Sequence, residues 1–105
     1  MEVSWRTFAW PDGASLPTIT VSEHSSWSLF DDVASHLAGS MGELWSARLD
    51  DIDQRWWDLK VGDGKITLHL DHYLGISIYA DRGGGEPLEA SRALLDAAFR
   101  ALLDL

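Results

Sequence analysis

Four consecutive segments in the middle of the chain alternate apolar and polar residues. In ELWSARL the apolar phase is Trp45, Ala47 and Leu49, and in RWWDLKV it is Trp57, Leu59 and Val61. KITLHLDH continues the pattern with Ile66, Leu68 and Leu70, and GISIYA with Ile76 and Ile78. A period of two sustained over four segments predicts strands with one buried face. Upstream, VSWRTFAW and PTITVS carry aromatic and β-branched residues on either side of PDGAS. That predicts two further strands about a turn.

Two segments follow the helical period instead. In SSWSLFDDVASHLAG, Leu29, Phe30, Val33, Ala34 and Leu37 fall on one face. Ser25, Ser26 or Ser28 can cap the start, Asp31 and Asp32 suit the positive end of the dipole, and Gly39 is the expected stop. His36, at the border of the stripe, is expected to be structural. Near the end, Glu86 and Pro87 suit a helix start, and Leu88, Leu95, Ala98, Phe99 and Leu102 form its inward face. Arg92, Asp96, Arg100 and Asp104 make a solvated ladder of alternating charge. The order β-β-α-β-β-β-β-α predicts one α+β domain over residues 1–105. Its architecture is a two-layer sandwich, an antiparallel β-meander with two helices packed on one face. With 105 residues there is material for one core.

The turns set an expected register. Asp63-Gly64 as a two-residue loop pairs Gly62 with Lys65, Val61 with Ile66, Leu59 with Leu68 and Trp57 with Leu70. Asp58 then faces His69, and Trp56 faces Asp71. A three-residue loop over Tyr73, Leu74 and Gly75 pairs His72 with Ile76 and Leu70 with Ile78. Tyr79 then falls opposite His69, and Ser77 opposite Asp71. A five-residue loop, DDIDQ, sets Leu49 opposite Arg55, Ala47 opposite Trp57 and Trp45 opposite Leu59. The second face should then show two polar rows. One is Ser46, Asp58, His69 and Tyr79, and the other is Arg48, Trp56, Asp71 and Ser77.

These rows limit the chemistry. HLDH looks like a ligand cluster, but His69 and Asp71 point one way and His72 the other. One imidazole with two carboxylates is a poor set for metals that favour nitrogen, so no metal and no cofactor are expected. A carboxylate beside an imidazole beside a phenol could tune a general base. Cross-strand polar pairs on a half-exposed sheet look the same. No nucleophile or oxyanion site accompanies the row. GDGK lacks the spacing of a phosphate loop and reads as a hairpin turn. DRGGGEP reads as a connector. DDIDQRWWD lacks the glycine and closing glutamate of a calcium loop and reads as an acidic tip with Ile52 exposed between its acids.

Composition narrows the function classes. The chain is 46% hydrophobic and 24% charged, as globular proteins are. Its net charge of −9 opposes phosphate backbones and anionic membranes, so neither nucleic acid nor membrane is an expected partner. Glu23 to Asp58 holds eight acids against Arg48 and Arg55. There is no cysteine, and the start lacks the pattern of a secretory leader, so a cytoplasmic location is expected. Six tryptophans, all within Trp5–Trp57, exceed what the core needs, and tryptophan is enriched at contact hot spots. Together these features suggest a protein-binding module without catalysis. The expected contact residues are Arg48, Asp50, Asp51, Asp53, Trp56, Asp58, His69, Asp71 and Tyr79. The expected partner is a basic protein, or a second copy of the chain bound through the open sheet face. In general character the chain resembles bacterial immunity proteins, small inhibitors of basic toxins or nucleases. That resemblance is carried by size, acidity and the aromatic and polar sheet face, not by a motif. The alternative is a ligand-binding or enzymatic domain using Asp58, His69 and Tyr79.

Overall fold

The computed structural model describes residues 3–9, 15–80 and 89–105; within 5–9 and 15–17 it describes the backbone alone. The elements are β1 (Ser4–Ala9), β2 (Ser15–Ser22), α1 (Trp27–Met41), β3 (Trp45–Asp50), β4 (Gln54–Val61), β5 (Gly64–Asp71), β6 (Gly75–Ala80) and α2 (Glu89–Leu103). This is the expected α+β order. The six strands form one antiparallel sheet in the order β1-β2-β6-β5-β4-β3. The N-terminal hairpin therefore extends the sheet through β2 and β6 and does not fold over its open face.

Both helices cover one face. Phe30, Val33, Ala34 and Leu37 of α1 and Leu94, Leu95, Ala98 and Leu102 of α2 are buried. They close on Ile19, Trp57, Leu59, Ile66, Leu68, Leu70, Ile76 and Ile78 from the strands. Leu94 joins this face where Phe99 was expected to lie deeper; Phe99 is partly buried. Leu88 and the expected start of α2 at Glu86 and Pro87 lie outside the described residues, as does DRGGGEP. Ser26 caps α1 by accepting the Leu29 N–H, which supports the expected serine cap. The helix runs past Gly39 and ends at Gly42, whose φ of 70° satisfies the left-handed C-cap. His36 is structural in the plain sense that its Nε2 donates to the Ala101 carbonyl, tying α1 to α2.

The strands pair with the expected neighbours but in a different register. Leu59 faces Ile66 and Trp57 faces Leu68, a slip of two residues from the expected pairing. The loop is Gly62-Asp63, with Gly62 at φ 59° and Asp63 not at positive φ, the glycine-first pattern of a type II′ hairpin. Gly64 is needed elsewhere. A Cβ there would lie 2.6 Å from the Ala90 carbonyl oxygen, so α2 sits against this backbone. The next hairpin also slips by two, to Leu70 with Ile76 and Asp71 with Gly75. Its loop still has three residues, His72 to Leu74, and Asp71 Oδ1 accepts the N–H groups of Tyr73 and Leu74. Gly75 has φ 90° and takes the close approach of Ser22 and Glu23. Both slips are even, so the core face survives them.

The third difference is odd. A β-bulge between Trp45 and Ala47 shifts β3 by one residue against β4. Trp45 keeps its expected partner Leu59, but Arg48 now faces Trp57 and Leu49 faces Trp56. Ala47 and Leu49 are thereby turned out of the core, and Leu49 is 62% exposed. Arg48 and Asp50 move to the helix-covered side.

Candidate functional site

The open face carries two cross-strand rows. One runs Leu49, Trp56, His69, Ser77 and Thr20, and the other runs Ala47, Asp58, Thr67, Tyr79 and Thr18. The expected row of Ser46, Asp58, His69 and Tyr79 is thus corrected, because Asp58 faces Thr67 and not His69. Asp58 accepts the Thr67 hydroxyl at 2.7 Å and lies 3.7 Å from Lys65 Nζ. Trp56 stacks on the His69 ring at 5.1 Å between centroids, and Tyr79 meets the same ring edge-on at 6.0 Å across the diagonal. His69 Nε2 donates to Gln54 Oε1 at 3.0 Å. Burial between these rings pushes the His69 pKa below its ordinary value, and the charge of Asp71 opposes that only in part. The imidazole is held neutral, aromatic and hydrogen-bonded to an amide. Among the described residues no group of three or more His, Asp or Glu side chains gathers as a metal ion requires.

The helix-covered side holds a constellation that pattern reading missed. Arg55 is 8% exposed. Its guanidinium lies 4.4 Å from the Trp57 ring, 4.6 Å from Phe30 and 4.9 Å from Trp27. It donates to Asp31 Oδ1 at 2.8 Å and to Asp50 Oδ1 at 3.1 Å, and Trp57 Nε1 donates to the same Asp50 oxygen at 2.8 Å. Burial works against the cation, but the two carboxylates outweigh it and raise its pKa. In turn Arg55 and then Trp57 hold the Asp50 carboxyl below its usual range. Arg55 occupies an apolar phase of RWWDLKV, beside Trp57 and Leu59, and that phase was the available signal. Nearby, an open cleft of about 400 Å³ runs between α1 and β3, lined by Asp31, Ala34, Ser35, Trp45, Arg48 and Trp57 among others. Trp45 closes its floor by donating Nε1–H to the Ala34 carbonyl.

The remaining expected contact residues lie at one end of the sheet. The β3–β4 and β5–β6 hairpin tips and the start of α1 share that end by topology. Asp51 and Asp53 flank Ile52, which is 89% exposed. Tyr73 and Leu74, on the tip two strand spacings away, or about 10 Å, are 86% and 69% exposed. Within residues 22–32, 49–56 and 69–76 the only Lys or Arg is Arg55, already held by Asp31 and Asp50. The nine expected contact residues therefore separate. Trp56, Asp58, His69 and Tyr79 share the open face, Asp51, Asp53 and Asp71 sit at the hairpin end, and Arg48 and Asp50 belong to the edge strand. No family model, characterised protein or solved structure matches the chain. No helix among the described residues is long and apolar enough to cross a membrane.

Proposed function

We propose that the chain is a protein-binding module without catalysis, and that its contact region is the acidic hairpin end, running onto the open face at Trp56. The observation that carries this reading is the exposure of Ile52, Tyr73 and Leu74 on two neighbouring tips, set among carboxylates with no free cation beside them among the described residues. Apolar tips ringed by one sign of charge suit a partner with an apolar patch inside a basic surface. In its finer form the reading is a cytoplasmic inhibitor of a basic protein, in the manner of the immunity proteins that the chain resembles. Net acidity and the absence of cysteine support that form. The use of Asp58, His69 and Tyr79 as a catalytic row gains no support, because Asp58 pairs with Thr67 and Lys65 instead.

The test is capture from the native host's lysate on immobilised wild-type chain and on a variant carrying Ile52→Ala, Asp51→Lys and Asp53→Lys. A basic protein held stoichiometrically by the wild type, lost from the variant and released as salt rises past about 0.2 M supports the reading. A partner that the variant keeps and Trp56→Ala loses moves the contact region to the open face. Absence of any stoichiometric partner overturns the proposal.

A further inference from the structure

β3 is an edge strand, and among the described residues nothing pairs with its outer side. The Asp51 N–H bonds the Gln54 carbonyl at 2.7 Å, which sets the alternation of the ladder behind it. Leu49 and Ala47 turn their backbone groups toward β4, and Arg48 and Asp50 turn theirs outward. An edge with free donors and acceptors is a template for another strand.

We infer that this edge pairs with the same edge of a second copy, antiparallel, about a two-fold axis at Leu49. The choice of occupant rests on charge complementarity. Outward backbone groups at residues 48 and 50 allow only registers that bring these residues opposite one another or opposite residue 46 or beyond. With Arg48 opposite Arg48, or Asp50 opposite Asp50, like charges meet. With the axis at Leu49, Arg48 of each copy lies opposite Asp50 of the other, and Leu49 lies opposite Leu49. Both copies then satisfy two backbone bonds in each Arg48–Asp50 pair. The side chains agree with this. Arg48 and Asp50 share the helix-covered side of the sheet, so the opposed charges lie on one face. Asp50 Oδ1 is engaged by Arg55 and Trp57, and Oδ2 has no bond among those described. Leu49, exposed on the other face, gains its own copy as a neighbour in the closer, non-bonded kind of pair.

The edge also carries two devices that blunt indiscriminate pairing, a bulge at its start and a charged side chain in its middle. Here they restrict pairing to one register and to the five residues Ala47–Asp51, since the chain bends away at Ile52 and Asp53. The helices do not obstruct the approach. α1 lies over β4, where Phe30 and Asp31 meet Trp57 and Arg55, and strand spacings put the two α1 helices about 14 Å apart, wider than packed helices. So short a seam makes a weak, reversible dimer. This inference does not rest on the reading of a basic partner, which concerns the hairpin end.

The experiment is sedimentation of the full chain from about 10 µM to about 1 mM, a range that spans weak association. The wild type and Arg48→Lys are expected to dimerise. Arg48→Asp, and Leu49→Asp at the axis, are each expected to weaken association at least about tenfold. Both residues are exposed, so the variants should keep the fold, which circular dichroism checks. A second measurement needs no variant. Amide exchange of Arg48 and Asp50 should slow at high concentration relative to Leu49, whose N–H is bonded to β4 throughout. A chain that stays monomeric across the range overturns the inference. So does a dimer that both Asp variants leave intact, or one in which Arg48 and Asp50 amides exchange equally fast at both concentrations.

Discussion

Arg55 and His69 stand on adjacent strands and opposite faces of the sheet, and burial treats them differently. Arg55 is the deeper, yet it keeps its charge, because Asp31 and Asp50 reach it at hydrogen-bonding distance and three aromatic rings accept the cation. His69 is only half-buried, yet its charged form is disfavoured, because its direct polar partner is the neutral Gln54 amide and Asp71 acts from further off. Depth alone does not decide whether an ionisable group stays charged. The supply of opposite charge in contact does.

The largest effect expected from breaking this contrast lies at Arg55. Arg55→Ala removes the cation and its packing and should destabilise the fold by about 3 kcal/mol in urea titration. Arg55→Met keeps the volume, and its two former partners are half-exposed and can rehydrate, so about 1 kcal/mol is expected. Equal losses for the two would mean that the charge, not the packing, holds this site.

Next come two acid limbs in separate pH windows. The Asp50 carboxyl has its pKa lowered in the folded chain, so its contribution is complete above 3.8 and is lost as pH falls through the lower folded value. Asp50→Asn should flatten that acid limb. The His69 pKa is also lowered, so its slope has the same sign, but here the fold disfavours a cation instead of favouring an anion, and the window opens at 6.5 instead of 3.8. Above 6.5 His69 is neutral folded or unfolded and contributes no pH dependence. Below 6.5 the unfolded chain takes up the proton first, and stability falls until the folded pKa is passed. His69→Gln should remove that slope in urea midpoints measured from neutral pH downward. A slope unchanged by the substitution would locate it in another group.

The smallest effect is on the open face. Trp56→Ala loses the stack on His69 and should cost about 1 kcal/mol. It should also bring the His69 titration back toward its ordinary value, read by NMR. A His69 titration that stays put would mean that the stacked ring is not what desolvates it.

Much of the fold was legible in the chain. Period-two runs marked β3 to β6, helical stripes marked α1 and α2, and Ile52 stood out as an apolar tip among acids. The candidate surfaces were legible only in part. Asp63-Gly64 is the stronger turn signal in isolation, but Gly64 is taken up by the approach of Ala90, so the loop moves to Gly62-Asp63. His69 thereby exchanges its expected partner Asp58 for Trp56, and the separate slip of the β5–β6 hairpin sets Ser77 opposite it with Tyr79 on the diagonal. Arg55 was hidden because a charged residue in an apolar phase carries no label for its partners, which come from α1 and β3.

What the sequence by itself determined is parity: which residues of β4, β5 and β6 share a face. Alternation is a local property of the backbone, and a slip of two leaves it unchanged. Which partner each residue meets was decided by tertiary structure. Helix contacts select among registers that the pattern cannot tell apart, as α2 does at Gly64. A single bulge at the start of β3 reverses parity outright, sending Leu49 to the open face and Arg48 and Asp50 to the helix-covered side of the sheet. An extra residue in a ladder leaves no mark in a run of alternating side chains, so only the paired strand reveals it.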